Sequence, residues 1–578
     1  MYIASLKIEK VILMKKFKDL KYVRPDFKVV KKQLKDYLKK FKKVKTYSEF
    51  KDLYMEFEKN TSELASAISI ASIRNTMDKT NSFYEEEMKY INEKGAVIQL
   101  SSLSLSKTLL KSSFRKQFDE EYGSFLTEKI EKSLKLISPL TIIDSIKESK
   151  LTQNYSKDVA LCETEFRSEK KNFYGLLKHM ESTDRQERKE AFIVWADLYE
   201  SVSDKLDDTY DKLVKLRVKM AKKLGFKNYI EYSYLARNRY DYTAKDIEIF
   251  RNNVRDIIVP ICVELYKKQK QRLGIETLHF YDEGLVFPEG NAVPIGDKDQ
   301  LVAKAKKMYD EMSKETSEFF NFMCDYELFD LETRPGKHLG GYCTFLPAQK
   351  APFIFSNFNG TSADVDVLTH EAGHAFQIYL SSRHQKTMLN MMSSSEINEI
   401  HSMAMEHFTY DWMELFFGEN ANKYIYSHLV KSLTVIPYMV SVDEFQHRVF
   451  ENPKMTAKER RKVWHEIEKI YLPWRSYDGN KFLKEGGFWM QKQHIFLFPF
   501  YYVDYALAQI SSFEFYIKSL ENRQAAWDDY VALCQKGGSM GYFDLLKSAN
   551  LNNPFDREKM EETISKVKEI IQEYENKI

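Results

Sequence analysis

The sequence predicts a mainly α-helical protein with a small β-sheet, for which the second half of the chain offers one clear candidate stretch. Its 578 residues include only 20 glycines and 13 prolines, well below the average usage of roughly one residue in eight for the two together. Lysine, glutamate and leucine are frequent, and a chain with these residues and few helix breakers favours long helices. The length is compatible with three or four domains, or with one large helical fold of two lobes.

Residues 14 to about 330 have the pattern of successive amphipathic helices joined by short loops. The most basic segment is KKQLKDYLKKFKKVK, residues 31–45, and its apolar residues Leu34, Tyr37, Leu38 and Phe41 recur at helical spacing. This pattern predicts an amphipathic helix with solvated lysines. The whole chain is nearly balanced, with 88 basic and 85 acidic residues, so we expect neither a nucleic acid nor an acidic membrane as partner.

The first residues, the cysteines and the longest apolar run indicate the cellular location to expect for the protein. The first residues, MYIASLKIEKVILMKKF, have short apolar runs broken by charges and no cleavage site, so they do not predict a signal peptide. We expect residues 1–13 to be an extension, with Met14 as an alternative start. The five cysteines form no C-x-x-C pair, and the longest apolar run, 495–503, is half a membrane span. A soluble cytoplasmic protein is therefore expected.

The first helices are followed by a stretch of different composition, RPGKHLGGYCTFLPAQKAPFIFSNFNGTSAD. It is rich in glycine and proline, and Phe353 and Phe355 alternate around Ile354, which predicts β-strands. Helical patterns return in SADVDVLTHEAGHAFQIYL and in SSEINEIHSMAMEHFTYDWMELFF. We therefore expect a small sheet beside the helix that contains HEAGH.

The HEAGH motif, residues 370–374, is the strongest chemical signal in the chain. Residues four apart project from one face of a helix, so His370 and His374 can bind one metal ion. Glu371 is offset from His370 by about 100° around the helix axis. It is therefore better placed to act as a base on a metal-bound water than to bind the metal itself. The alternative is a buried histidine pair with Glu371 as a surface charge.

The third metal ligand is not a histidine of the same helix, because Gln377 and Leu380 stand where a metzincin would continue its motif. The next predicted helix offers Glu396, Glu399 and Glu406. Glu399 and Glu406 are seven residues apart and share a face. We predict Glu399 as the ligand, with Glu406 supporting it from behind and Glu396 as the alternative.

Asp364 lies six residues before His370. It can cap the start of the HEAGH helix, where a negative charge is favourable. A hydrogen bond from Asp364 to one of the metal-binding histidines is the alternative.

HEAGH, followed by Glu399 twenty-five residues after His374, resembles the zinc metallopeptidases of the thimet oligopeptidase and oligoendopeptidase F family. The resemblance is closest to oligoendopeptidase F and extends to IASIRNTMDKTNSFYEEE, GKHLGGYCT, PFIFSNFNGTSADV, HIFLFPFYYVDYALAQ and KGGSMGYFDLLKSANLN. It implies a mostly helical, two-lobed fold around a deep channel, with one zinc ion per chain and short peptides as substrates. We expect an N-terminal lobe over 14–200 and a catalytic lobe over 201–578, intertwined.

By position, the resemblance makes His370, His374 and Glu399 the zinc ligands and Glu371 the general base. It also implies that a later segment, with His494, Tyr502 and Tyr505, donates hydrogen bonds to substrate and intermediate.

The tyrosine assignment is looser, and Tyr501 is an alternative member of the pair. The tetrahedral intermediate needs hydrogen-bond donors, each typically worth about 3–4 kcal/mol of barrier. A plain aromatic core helix is the other interpretation of this segment.

The segment PFIFSNFNGT can bind substrate as a strand edge that pairs with an extended peptide through main-chain hydrogen bonds. We expect Phe353, Ile354, Phe355 and Gly360 to contact substrate there. The alternative, an ordinary hairpin buried by its phenylalanines, is compatible with that role.

Together these features predict a zinc-dependent oligopeptidase that hydrolyses internal bonds of short peptides. The alternatives are a carboxypeptidase mode and a catalytically silent peptide-binding protein on the same fold. A nucleic-acid role for residues 31–45 ranks last. The sequence does not indicate an oligomeric state.

Overall fold

The computed structural model describes residues 15–338 and 340–578. The extension predicted for residues 1–13 and the alternative start at Met14 lie outside this part of the chain. The described residues form helices for most of their length, together with one two-stranded and one three-stranded sheet. The mainly α class predicted from composition is therefore confirmed.

The helices are numbered α1 to α26 in chain order, and short 3₁₀ and π turns join several of them. They are α1 Phe27–Phe41, α2 Tyr47–Met77, α3 Ser82–Leu110, α4 Arg115–Tyr122, α5 Ser124–Ser133, α6 Ile142–Ala160, α7 Phe173–His179, α8 Arg185–Lys223, α9 Tyr229–Ala236, α10 Ala244–Asn253, α11 Val259–Arg272, α12 Lys298–Met312, α13 Lys314–Asp325, α14 Ala363–His384, α15 Met388–Met391, α16 Ser395–Phe408, α17 Met413–Phe417, α18 Ala421–Thr434, α19 Ile436–Glu451, α20 Ala457–Tyr471, α21 Lys481–Lys484, α22 Gln493–Leu497, α23 Tyr502–Glu521, α24 Arg523–Lys536, α25 Tyr542–Ser548 and α26 Arg557–Glu575. The strands are β1 Glu163–Phe166, β2 Glu169–Asn172, β3 Phe329–Glu332, β4 Tyr342–Leu346 and β5 Ala351–Phe358.

The chain divides into two compact units, each assembled from separate stretches of sequence. Within the described residues, the first unit contains 15–122, 294–392 and 534–537, and the second contains 123–293, 393–533 and 538–578. The division predicted at residue 200 falls inside the 39-residue helix α8 and coincides with no boundary of either unit.

In the first unit, helix α1 is the amphipathic helix that the lysine-rich run predicts. The Asp26 carboxylate accepts hydrogen bonds from the N–H groups of Lys28 and Val29 and so caps its start. Leu34, Tyr37 and Phe41 are buried, while most of the lysines remain exposed. Hydrophobic periodicity therefore fixes this helix and its buried face.

The sheet of the first unit has the strand order β3–β5–β4. Strand β5 pairs in parallel with β3 and antiparallel with β4, with Tyr342 opposite Phe355. Its first six residues are buried, and helix α14 packs against it. Strand β5 is thus the central strand, and the expectation that it presents a free edge is wrong.

In the second unit, helices α16 and α23 pack closely along each other. Most residues of both helices are buried. Polar groups on these helices must therefore find partners inside the protein, because burying an unpaired polar group costs free energy.

Within the described residues, no helix combines the length and hydropathy that a membrane span requires. The five cysteines are all free thiols. The absence of disulfides agrees with their scattered positions in the sequence.

We predict that Lys337→Met lowers the free energy of unfolding by about 3 kcal/mol, because three main-chain carbonyls lose their donor and, among the described residues, the Asp330 carboxylate keeps only Arg334 as a charge partner. The Lys337 ammonium is fully buried and donates to the Asp330 carboxylate and to the main-chain carbonyls of Asp330, Glu332 and Ser356. The change should appear as a lower thermal midpoint in calorimetry.

Lys314→Met is the matched control, since the Lys314 side chain is 84% exposed and its ion pair should contribute little. Equal midpoints for the two variants would contradict a structural role for Lys337.

Candidate metal and catalytic site

Helix α14 carries the histidine pair of the HEAGH motif. The rings of His370 and His374 have centroids 5.0 Å apart and are nearly perpendicular, at 87°. Both residues are half-buried, whereas Leu368, Thr369 and Ala372 are buried. The predicted placement of the two imidazoles on one helix face is therefore confirmed.

Glu371 is only 8% exposed and lies against the start of strand β4. A Cβ atom at Gly341 would be 3.7 Å from the Glu371 Oε1 atom and 3.4 Å from the Phe355 carbonyl oxygen. Burial, and then the charge of Glu371, raise the pKa of the Cys343 thiol well above its usual range. The sheet thus approaches the expected base closely.

Asp364 does not cap helix α14 as predicted. It lies in the first turn of the helix, and its carboxylate accepts from the main-chain N–H groups of Asn359, at 2.9 Å, and Gly360, at 2.7 Å. Gly360 itself adopts a φ of +82°, which favours glycine. The Asp364 carboxylate therefore holds the loop that leads from β5 into α14, and its charge still lies at the favourable end of the helix.

Glu399 on helix α16 is buried, with 3% of its surface exposed. Its Oε1 atom accepts a hydrogen bond from the Tyr501 hydroxyl at 2.5 Å, and its Oε2 atom accepts one from Ser402 at 3.1 Å. These two donors fix the carboxylate that was expected to bind the metal.

Glu406 was expected to support Glu399, but two helical turns, about 11 Å, separate the two residues along α16. The His428 Nε2 atom lies 2.8 Å from the Glu406 Oε2 atom, and the Tyr410 hydroxyl lies 2.6 Å from the other ring nitrogen of His428. Glu406 therefore belongs to a Glu–His–Tyr group of its own. Tyr501 and Ser402 support Glu399 instead.

Among the described residues, His370, His374 and Glu399 form the one group suited to a metal ion. Each offers one ligand atom, and these atoms lie within 4.8 Å of one another. Two imidazoles and one carboxylate fit a zinc ion that keeps an open position. The alternative ligand Glu396 is outside this group, and burial followed by the nearby charge of Asp504 raises its pKa to about 7.

In the late segment the Tyr505 hydroxyl donates a hydrogen bond to the hydroxyl of Tyr501, the residue before Tyr502, at 3.2 Å. The Tyr502 hydroxyl instead accepts from the Lys492 ammonium at 2.9 Å, and that ammonium also lies 4.1 Å from the centre of the Tyr502 ring. The structure therefore favours Tyr501, the alternative in the sequence analysis, over Tyr502.

His494 lies beside these tyrosines, with its ring stacked on Tyr501 at 5.7 Å. Burial, and then the charges of Lys492 and Arg237, lower the pKa of His494 to about 3, so its imidazole is neutral near pH 7. Burial, and then Glu399, raise the pKa of Tyr501 far above its usual range. The histidine and the tyrosine therefore keep N–H and O–H donors at neutral pH.

Sequence reasoning missed two cations of this group, Lys492 and Arg237. The Arg237 guanidinium lies 4.7 Å from the centre of the Tyr501 ring. Neither cation belongs to a recognisable motif, so the sequence contained no signal for their roles.

The phenylalanines of β5 do not suit side-chain contact with substrate. Phe353, Ile354 and Phe355 are fully buried, and their strand is paired on both sides. The expectation that this strand edge binds a peptide is corrected, because β3 and β4, and not β5, lie at the edges of the sheet.

Two family models match the chain. Residues 17–137 match the peptidase M3 N-terminal domain, and residues 178–287 and 302–564 match peptidase family M3. No curated protein sequence matches the chain significantly.

Solved structures of similar proteins cover nearly the whole chain. A complex of Pz peptidase A with an inhibitor is 41% identical, has a TM-score of 0.93, and covers 96% of this chain and 99% of its own. A protein from Bacillus anthracis str. Ames, provisionally named oligoendopeptidase F, is 41% identical with a TM-score of 0.88 and covers 97% and 98%. A further structure with the same provisional name is 40% identical, has a TM-score of 0.93 and covers 97% and 99%.

We predict that Glu399→Gln and His374→Ala abolish stoichiometric zinc binding, because each removes one of the three expected ligands. Zinc content after dialysis, measured by plasma mass spectrometry, tests this directly. Glu396→Gln is the matched control on the same helix and should retain zinc. Zinc loss in the Glu396 variant, with retention in the Glu399 variant, would reverse the assignment.

Proposed function

This chain belongs to peptidase family M3, and on that premise we propose that it is a zinc-dependent oligopeptidase that hydrolyses internal bonds of short peptides. It is a peptidase by family. The zinc ion, the Glu371 base and the internal mode of cleavage are our proposal. The observation that carries it is the group of ligand atoms formed by His370, His374 and Glu399, with Glu371 adjacent to His370 in the sequence.

The role that we propose for each residue follows from the chemistry of its side chain. Zinc, when bound by His370, His374 and Glu399, supplies an electrophile and lowers the pKa of a coordinated water towards about 7. Glu371 accepts a proton from the attacking water and later delivers it to the leaving amine nitrogen. The buried setting of this carboxylate supports its role as a proton carrier rather than a solvated surface charge.

Tyr501, Tyr505 and His494 are the proposed donors to the charge that develops on the substrate oxygen. For this role the Tyr501 hydroxyl turns towards the substrate from Glu399, to which it donates in this structure. A donor must keep its proton while negative charge builds up nearby. Burial, together with the charge of Glu399, raises the pKa of both tyrosines well above the usual value, so their hydroxyls stay protonated. His494 is neutral and can donate through the ring nitrogen that carries its proton.

The outer edge of β4 is the proposed binding surface for the peptide backbone. Pro352 lies opposite Phe345 and has no N–H, so this pair cannot exchange ladder hydrogen bonds. In an antiparallel ladder the bonded pairs alternate. The main-chain groups of Phe345 and Cys343 therefore point away from β5, and Gly341 connects this edge to Glu371.

An extended peptide added to this edge would be held by main-chain hydrogen bonds, which are independent of side chains. Such binding suits a peptidase that accepts varied sequences. In this proposal the buried residues Phe353, Ile354 and Phe355 support β4 from behind instead of contacting the peptide.

We predict that Glu371→Gln retains zinc and lowers kcat by about 10²–10⁴-fold, because the variant keeps the shape of the side chain and loses its proton transfer. A fluorescence-quenched peptide assay and metal analysis on the same sample test this. Glu332→Gln, whose side chain is 69% exposed in the same unit, is the control. Wild-type cleavage by the Glu371 variant would refute the assigned base.

We also predict that Tyr501→Phe and Tyr505→Phe each lower kcat by about 10²–10³-fold, since one oxyanion donor is typically worth that much. Tyr502→Phe should have a much smaller effect, because its hydroxyl lies against Lys492 rather than beside Glu399. The same peptide assay distinguishes them. A larger loss for Tyr502→Phe than for Tyr501→Phe would restore the pair expected from the sequence.

Mass spectrometry of products from a mixed peptide pool tests the mode of cleavage. Internal fragments from short peptides are the expected result. Stepwise removal of C-terminal residues would establish a carboxypeptidase mode, and intact peptides with zinc bound would establish a silent peptide-binding protein.

A further inference from the structure

The connection between helices α22 and α23, residues 498–501, determines where the tyrosines of the proposed site lie. Phe500 in this connection has a φ of +61°, a left-handed conformation that is uncommon for a large side chain. Such a conformation persists only where the surroundings hold it in place. The contacts around Phe500 therefore decide the orientation of Tyr501 and of the first turn of α23.

Polar contacts hold the main chain of this connection. The Phe500 N–H donates to the Gln446 Oε1 atom at 3.0 Å. The Phe500 carbonyl accepts from the Arg239 guanidinium, and the Pro499 carbonyl accepts from Arg237 Nε at 2.8 Å. Carbonyls between two helices have no partner in the helices themselves, and the two arginines supply it here.

The side chain of Phe500 is held as well. Its ring is fully buried and lies 4.9 Å from the ring of His447 and 5.7 Å from that of Phe450, measured between centroids. Side chain and main chain are therefore fixed together, so the left-handed residue has little freedom to relax.

Arg239 also connects the two helices that carry the proposed site residues of the second unit. Its guanidinium donates to the Asp504 Oδ1 atom at 2.5 Å, and the Ser395 hydroxyl donates to the Asp504 Oδ2 atom at 2.7 Å. Asp504 lies in the first turn of α23, and Ser395 is the first residue of α16, which carries Glu399. The Arg239 and Asp504 side chains are fully buried, so each charge depends on the other.

We propose that Arg239, with Arg237 and Gln446, is a positioning residue for the oligopeptidase reaction: it holds the 498–501 connection so that Tyr501 and Tyr505 face Glu399. This inference rests on the proposed function for its effect on catalysis. The structural part, the ordering of residues 493–505, does not depend on it.

The test compares Arg239→Met and Arg239→Lys with Arg188→Met and Arg188→Lys. Arg188 is the matched control because it too is a buried arginine of the second unit that donates to a main-chain carbonyl, that of Ser182, and to a buried carboxylate, Asp282. Hydrogen exchange of the peptide 493–505 in the metal-free protein is the first measurement. The second is kcat, KM and zinc content of the zinc-loaded protein.

Arg239→Met should speed the exchange of residues 493–505, retain zinc, and lower kcat by about 100-fold, as expected for a small displacement of catalytic groups. KM should change little, and Arg239→Lys should recover part of kcat because lysine can donate to one of the two acceptors. The Arg188 variants should lower thermal stability without either change.

Gln446→Leu is the second variant if Arg239→Met fails to fold, since it removes the acceptor of the Phe500 N–H and leaves the buried Arg239–Asp504 pair in place. It should speed exchange over 493–505 in the same way. Unchanged exchange in a folded Arg239 variant and in Gln446→Leu would overturn the proposal, as would an equal loss of kcat in the Arg188 and Arg239 variants. A wild-type protein that cleaves no peptide would refute the proposed function, while the exchange measurement would still decide the role of Arg239.

Discussion

The burial of the Glu399 carboxylate is the constraint on which the arrangement of the proposed site depends. A carboxylate removed from water needs charge partners or hydrogen-bond donors, because its desolvation cost exceeds that of any neutral group. Tyr501 and Ser402 supply two donors, and a metal ion would supply the charge. The need to bring Tyr501 to this carboxylate explains why an aromatic side chain from a segment a hundred residues later lies against helix α16.

Three further buried carboxylates of the second unit are paired with arginines. Arg239 pairs with Asp504, Arg251 with Asp443, and Arg188 with Asp282, and each carboxylate of these pairs is fully buried. Buried ion pairs of this kind contribute less to stability than hydrophobic replacements would. Here these pairs fix geometry, because a planar guanidinium with several donors holds main-chain carbonyls and carboxylates in defined relative positions. The connection before the tyrosine helix uses this property.

In the first unit, the order of the strands in the sheet decides which strand can pair with a peptide through its main chain. Compared with β4, strand β5 is more hydrophobic and its apolar residues alternate more regularly. These properties place β5 in the centre of the sheet, paired on both sides. A central strand has no unpaired main-chain groups left for a peptide. The shorter strand β4, which the glycine-rich sequence before it made inconspicuous, lies at an edge of the sheet and follows Gly341, which approaches Glu371.

The sequence by itself determined the features that depend on local backbone geometry. Helical spacing fixed the pairing of His370 with His374, the offset of Glu371 and the buried face of helix α1, because residues three or four apart always share a face of an α-helix. Alternation fixed the existence of the strand around Ile354. The resemblance to a zinc peptidase family, carried by motifs in a fixed order, agreed with the family models that match most of the chain.

Only the tertiary structure decided the partners of those residues. It assigned Tyr501 rather than Tyr502 to Glu399, Asp364 to the loop before its helix, and Glu406 to His428. The partners of Tyr501 and Glu406 depend on which distant element packs alongside, and the connection that turns Tyr501 towards Glu399 is held by Arg239, 261 positions before Phe500. No periodicity within a short window contains that information, because it arises from contacts between segments that the sequence keeps far apart.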